Sequence, residues 1–443
     1  VDKDEAVTIA QTAVGLAIEA GASQAEGSVA IGRRFSAEAR GGTITKLEQS
    51  TGKGLALRLF VDGRKATLAT ADFEREALRR AVARTVAQAE HVAEDRFAGL
   101  PDESADEVSD LGLYDDGIAD RAESAGADDA LAIERELSAS DARITNSNGS
   151  RYSDGVSITA LANSHGFFGA YVSTRASRSA SPVALDGERK RTAHYGTAGR
   201  KLTALDSNEE VARIATQHAL EMFGATKPPT MRVPVIFERD VAAAVLSDVF
   251  AAISAANVAL DNSWLAGRVG ERIGSDRVTL VDDGRLPGLL GSSPFDGEGV
   301  ATRRTTVMER GVLRTFLYDS YHARKLGTTS TGNSSGGSIG PNTFFLEAGE
   351  QSLEELIAST PRGVLVLDTI GFSTEHATGS YSRGARGMLI VGGELAGPID
   401  EFTIAASLPE MLAGVDAVAN DLRFDGSVVA PSFRVCEMTV SGN

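Results

Sequence analysis

From residue 231 onward the chain reads as strand after strand, with helical periodicity only briefly interposed. That ordering excludes a parallel sheet built from alternating strands and helices. The stretch opens on an apolar run, Val233-Pro234-Val235-Ile236-Phe237, followed by a helical pattern over about 240–256. Strands are predicted at 277–282, 303–309, 312–320, 363–370, 385–392 and 428–440, with short helices at 352–358 and 408–416. Runs of strands with segregated helices define an α+β fold. The region 231–443 is therefore expected to be a mostly-β C-terminal domain.

Upstream, Val7, Ala10, Val14, Ala17 and Ile18 recur at helical spacing over 4–20, and Gly21 is placed to stop the helix. Alternating segments follow at 26–38 and 43–60, and Asp62-Gly63 signals a hairpin into Lys65–Thr70. An amphipathic helix over 73–92 completes an N-terminal α+β domain, 1–95. Between about 94 and 120 the chain turns acidic and loses periodicity, as a linker or exposed loop would. A helix at 122–139, short strands with turns at Asn148-Gly149, Asp154-Gly155 and Asp186-Gly187, and a helix at 207–223 describe an antiparallel meander with flanking helices, 120–225. Lys227-Pro228-Pro229 then bars helix continuation and marks a boundary.

The 443 residues suffice for about three domains. No run of about 18 apolar residues exists, so no membrane span is expected. Val1-Asp2-Lys3-Asp4-Glu5 lacks the basic-then-apolar order of a signal peptide. One cysteine, Cys436, excludes an internal disulfide and suits a reducing cytoplasm. A formal charge of −17 opposes direct nucleic-acid binding, which needs Lys and Arg to neutralise phosphates.

Catalytic patterns are sparse. His91, His165, His194, His218, His322 and His376 are scattered, with no His-x-x-x-His pair. His218 with Glu221, and Asp319 with His322, lie three apart, but two ligands are too few for a metal centre. Gly332-Asn333-Ser334-Ser335-Gly336 and Gly336-Gly337-Ser338-Ile339-Gly340 match G-x-S-x-G. A nucleophile elbow needs a strand before the serine and a helix after it. This run stays Gly/Ser-rich up to Pro341 and reads as a loop. Cys436, within Phe433-Arg434-Val435-Cys436, reads as a core residue of a strand.

The densest chemistry lies in Thr378-Gly379-Ser380-Tyr381-Ser382-Arg383-Gly384-Ala385-Arg386-Gly387, just after Glu375-His376. Glycines flanking Tyr-Ser-Arg imply a backbone that approaches something closely. Such edges would let an extended peptide add to an exposed strand. Arg383 would hold a carboxylate or carbonyl, or else form an internal ion pair. The candidate peptide- or partner-binding residues are Gly332, Asn333, His376, Tyr381, Ser382, Arg383 and Gly384.

Two further stretches agree with this one in order: Ser293-Pro294-Phe295-Asp296-Gly297-Glu298-Gly299-Val300 with Arg303-Arg304 after it, and Tyr321-His322-Ala323-Arg324-Lys325-Leu326-Gly327 leading to Ser330-Thr331-Gly332-Asn333. Together the three resemble the PmbA/TldD family, the so-called modulators of DNA gyrase, known as two-subunit metallopeptidases. The match is nearest to the PmbA (TldE) type of subunit. It covers nearly the whole chain, loosely over 1–225 and specifically over 231–443.

In the TldD-type subunits of that family a His-Glu-x-x-x-His helix holds zinc. The corresponding helix here is Val245-Leu246-Ser247-Asp248-Val249-Phe250-Ala251-Ala252, with Ser247 and Ala252 where the histidines would stand and Asp248 at the glutamate. The third ligand, a cysteine, falls at Asp425 before Gly426-Ser427. The resemblance implies a chain without a zinc site of its own: the non-catalytic subunit of a cytosolic heterodimeric metallopeptidase. A TldD-like partner would supply zinc, and unfolded or short peptides would be the substrates. A homodimer of the isolated chain stays open. The alternatives are a self-sufficient peptidase using Glu375, His376 and Arg383, and an interaction protein acting on DNA gyrase.

Overall fold

The computed structural model describes residues 2–371 and 374–442. In the N-terminal half, α1 (Lys3–Glu19), β1 (Gln24–Arg40), β2 (Thr43–Val61), β3 (Arg64–Thr70) and α2 (Arg75–Ala89) appear in turn. They are followed by α3 (Asp116–Ala119), α4 (Glu123–Ser140), β4 (Ile144–Asn163), β5 (Phe168–Asp186), β6 (Arg189–Thr192), β7 (Tyr195–Gly199) and α5 (Asn208–Leu220). The seven strands make one antiparallel sheet in the order β3-β2-β1-β4-β5-β6, with β7 paired to β5. β1 lies at its centre, running from Gln24↔Phe60 to Arg40↔Thr43 on one side and from Glu26↔Asn163 to Ala39↔Ser150 on the other. The segments 1–95 and 120–225 thus share a single sheet.

Local chemistry accounts for the pieces. Asp62 (φ 47°) and Gly63 (φ 76°) both sit at positive φ, the two-residue turn whose twist suits a hairpin. α1 buries a stripe of Ala6, Ala10, Ala13 and Ala17, and these small side chains let it lie close over β1.

Two sequence expectations fail here. The glycines at 149 and 155 do not end strands, because β4 runs through both. Gly149 (φ 113°) lies where the β4–β5 register shifts, a bulge. Gly155 fits because a Cβ there would come within 2.9 Å of the Arg33 carbonyl oxygen. The segment 94–120 is irregular but is no exposed linker, since Leu100, Ala105, Leu111 and Leu113 are buried. Arg324 donates to the carbonyls of Phe97, Gly99 and Leu100, each at 2.9 Å, which meets the need of buried backbone for partners.

The C-terminal half begins with β8 (Met231–Phe237), α6 (Arg239–Ile253) and α7 (Ala255–Val258). It continues through β9 (Leu280–Asp283), β10 (Arg304–Glu309), β11 (Val312–Leu313), α8 (Ser320–Leu326), β12 (Phe344–Leu346), α9 (Leu353–Ala358), β13 (Arg362–Ile370) and β14 (Thr374–Glu375). β15 (Ser380–Val391), β16 (Glu394–Ser407), α10 (Leu408–Gly414), β17 (Val415–Val418), β18 (Val428–Val429) and β19 (Phe433–Ser441) complete it. Strands β13, β8, β19, β16 and β15 pair in succession, and β15 pairs back onto β13. The ring therefore closes, and closure removes free edges. α6 buries Val241, Val245, Val249 and Ala252 against it. The chain is α+β. No helix of the described residues is long and apolar enough to cross a membrane.

The strand expected at 312–320 is only Val312–Leu313. Asp319 instead caps a helix by accepting from His322 N, and Gly327 ends that helix at φ 72°. Cys436, expected in the core, is exposed. The β8–β19 register shifts between Val435 and Met438, so these two point inward while Cys436 faces out.

Candidate functional site

The three sequence motifs separate into a structural joint and a cleft. At the joint, Arg58 of β2 donates to Glu26 of β1 at 3.0 and 3.1 Å and to Glu298 at 3.0 Å. Glu298 also accepts from Ser320 N at 2.9 Å, tying the N-terminal sheet to α8. Asp296 accepts from the backbone N–H groups of Glu298, Val300 and Ser334. Asn333 donates to Asp282 at 2.8 Å and to the Gly340 carbonyl at 3.1 Å, and accepts from Thr331 at 2.7 Å. Its side chain is spent on internal bonds and only 2% exposed. Gly332 (φ 75°) sits where a Cβ would come within 2.6 Å of the Ala301 carbonyl oxygen. The expected surface at Gly332 and Asn333 is therefore interior scaffold. No helix follows Ser334 or Ser338, so neither G-x-S-x-G match forms a nucleophile elbow.

Burial of these carboxylates has a pH consequence. It pushes Glu26 up to about 7 against the pull of Arg58, and Asp282 up to about 6 against the bonds from Asn333 and Asn342. Asp296, pushed by burial and by neighbouring Glu298, rises to about 7. The folded state keeps protons that the unfolded chain releases from about pH 4 upward, so stability falls as pH rises through these values. Thermal unfolding followed from about pH 5.5 to about pH 8 should show the midpoint dropping by roughly 3 °C or more. A flat or rising profile would contradict the burial.

The third motif lies in β15, with β13 and β14 on one side and β16 on the other. Among the described residues β15 is flanked by strands on both sides, so an added peptide strand finds no open edge there, contrary to the sequence reading. The close approach implied by the glycines is internal: a Cβ at Gly387 would lie 1.9 Å from the Leu365 carbonyl oxygen of β13. Strand alternation turns Tyr381, Arg383 and Ala385 inward and places Ser382 and Gly384 on the other face.

Arg383, 9% exposed, donates through Nη2 to Asp248 of α6 at 2.7 Å and to Thr374 at 3.5 Å. Its guanidinium lies 5.3 Å from the Tyr381 ring centroid. Burial raises the Asp248 carboxyl and Arg383 pulls it back down. Around this pair, Arg383 Nε, Tyr381 Oη, His376 Nδ1 and Trp264 Nε1 are buried with no hydrogen-bond partner among the described residues. Trp264 N donates to the His376 carbonyl at 3.3 Å, and the Trp264 ring packs where a Gly379 Cβ would be. Such orphaned groups are rare in folded proteins and mark a site with unmet polar capacity. Glu375 stands apart: it is exposed and accepts from Thr378 at 2.9 Å, so it closes a turn.

Arg383 also lines a cleft of about 710 Å³ between the two halves, a volume ordinary for ligand sites. α6 forms one wall, with Glu238, Asp240, Val241 and Ala244. Asp368, Thr369 and Arg386 continue it, and His194, His218 and Glu221 face them from the N-terminal half. Burial and adjacent Asp240 push Glu238 up to about 7. Burial lowers His194, which contacts Ser181 at 3.0 Å, against the attraction of Asp240. No motif announced Glu238, Asp240 or His194. The acidic pair directly after the β8 run was the only signal, and its local role is capping, Glu238 accepting from Asp240 N at 2.9 Å.

The positions that the resemblance aligns with zinc ligands do not converge. Ser247 is exposed and donates back to the Ala243 carbonyl at 3.0 Å. Ala252 is fully buried in the core, Asp248 is engaged by Arg383, and Asp425 pairs with Arg423 at 3.1 Å. His322 Nδ1 meets Asp319 at 2.8 Å within the cap of α8. Among the described residues no group of three His, Cys, Asp or Glu could hold a metal ion. This donor set does not fit zinc, which takes three or four imidazole, thiolate or carboxylate ligands together.

Models of the PmbA/TldA metallopeptidase domains match the chain in order: domain 1 at residues 25–89, the central domain at 115–223 and the C-terminal domain at 230–442. A metalloprotease PmbA homolog from Haemophilus influenzae is 33% identical over 436 residues, spanning 97% of this chain and 95% of the relative. A Bacteroides thetaiotaomicron structure described as a modulator of DNA gyrase superposes with a TM-score of 0.93 at 28% identity, over 99% of both chains. TldE from Thermococcus kodakarensis superposes at 0.89 with 24% identity, over 98% of this chain and 100% of that one, a likeness of fold.

Proposed function

The chain belongs to the PmbA/TldD metallopeptidase family, and from that premise we propose that it is a zinc-free, non-catalytic subunit of a two-subunit cytoplasmic peptidase. A TldD-like partner supplies the zinc, and this chain helps to hold unfolded or short peptides through the cleft beside α6. The observation that carries the reading is the bond between Arg383 and Asp248 at 2.7 Å. A guanidinium from β15 is paired with the acidic position of the helix that would otherwise serve a metal. A cation beside it would meet a neutralised carboxylate and a like charge. The remaining aligned positions, Ser247, Ala252 and Asp425, lend it no combined donor set.

The test is elemental analysis and peptide cleavage on the purified chain, alone and after mixing with a zinc-bearing TldD-type protein. Substoichiometric zinc and no cleavage alone, with metal-dependent cleavage in the mixture, are expected. One tightly held zinc per chain, or robust cleavage by the chain alone, overturns the proposal.

A further inference from the structure

One edge of the N-terminal sheet is left open. β3 covers β2 only over Leu55–Val61, and the register with β1 shifts between Glu38 and Ala39, which bulges Thr45 out of the ladder. Between those limits lies Lys46–Gly54, nine residues whose outer side pairs with no strand among the described residues. Its residues are exposed as far as Lys53, and Leu47 is 53% exposed. Such an edge is a ready template for another strand. Gly52 and Gly54 add a second, separate sign. Neither has a positive φ, and a Cβ on either would meet nothing within 4 Å, so nothing inside the chain calls for glycine. Glycine within a strand often marks the close approach of another backbone.

We propose that this edge pairs with the same edge of a second copy of the chain, joining two seven-stranded sheets into one. In an antiparallel pair, hydrogen-bonded and non-hydrogen-bonded positions alternate, so two identical strands related by a two-fold axis set one residue opposite its own copy. A segment pairs over its whole length in that way only if it has a middle residue, and in Lys46–Gly54 that residue is Ser50. Gln49 then faces Thr51 of the second copy, Leu47 faces Lys53, Glu48 faces Gly52 and Lys46 faces Gly54. No like charges stand opposite each other. Lys46 and Glu48, joined at 2.9 Å within one chain, lie over the two glycines, where the missing Cβ leaves them room. The Lys53 stem covers exposed Leu47. The bulge at Thr45 ends the second copy's regular strand where β3 begins, so the two do not compete for the edge. This self-association goes beyond the zinc-free reading and does not depend on it.

Sedimentation equilibrium on the full chain should show a mass that climbs from one chain toward two as concentration rises, because a single strand pair is a modest contact. A one-chain mass held up to about 100 µM overturns the inference. Gly52→Glu sets a carboxylate opposite Glu48 of the second copy, twice by symmetry, and should weaken the dimer roughly tenfold or more. Adding Glu48→Lys should restore it, which separates lost pairing from lost folding. Cross-linking then reads the register, with exposed Cys436 first replaced by serine. Ser50→Cys meets its own copy at about 4.5–5.5 Å between Cα atoms and should form an intermolecular disulfide on mild oxidation. Glu48→Cys lies four residues out of step with its own copy, about 13 Å away, and should not. A dimer that ignores Gly52→Glu, or that cross-links through Glu48→Cys and not through Ser50→Cys, overturns the inference as well.

Discussion

Replacing Arg58 with alanine should cost roughly 3–5 kcal/mol of stability, the usual penalty for stranding a buried carboxylate. Here two are stranded together: the side chains of Glu26 and Glu298 are 5% and 3% exposed, and Arg58 at 3.0 Å is the cation that pairs with both. Glu298 retains its bond from Ser320 N, but Glu26 loses both of its contacts to Arg58. Adding Glu26→Gln and Glu298→Gln to the Arg58→Ala chain should recover most of the loss, because neutral amides remove the repulsion. Denaturant unfolding measures all three. A deficit below about 1 kcal/mol for Arg58→Ala would place this joint with ordinary surface pairs.

Gly387→Ala should be more damaging still, although it adds one methyl group. The new Cβ would sit 1.9 Å from the Leu365 carbonyl oxygen, which is backbone of the paired strand and cannot turn aside. We expect loss of roughly 4 kcal/mol or more, read as a collapse of soluble yield or of the urea midpoint. Gly392→Ala is the contrasting control. Its φ of 65° strains any L-residue, yet nothing lies within 4 Å, so only the conformational cost of about 1 kcal/mol is expected. Equal behaviour of the two variants would show that ring closure does not depend on the β13–β15 approach.

Fold class, the first helices and the Asp62-Gly63 turn were legible because each rests on local periodicity or on residues that tolerate positive φ. Gly149 and Gly155 misled for an instructive reason. Glycine marks both a turn and a crowded crossing, and only the neighbouring strand decides which. The Tyr381–Arg383 stretch was legible as unusual and misread as open, since sequence gives no sign that strands on both sides would enclose it. Asn333 likewise advertised polarity, but its partners Asp282 and Gly340 are known only once the loop is folded. Of the cleft residues, Glu238 and Asp240 adjoin at the start of α6, but His194 comes from the N-terminal half, and no spacing along the chain could have brought it to them.

Because β1 is zipped to β4 from Glu26↔Asn163 onward, the earliest-made strand must wait for one synthesised more than a hundred positions later. During translation the first hairpin therefore emerges with one flank bare, inviting unwanted association until its mate leaves the ribosome. Slow maturation and a demand for chaperone attention follow from that delay. So does intolerance of any expression strategy that severs the opening ninety residues from the rest.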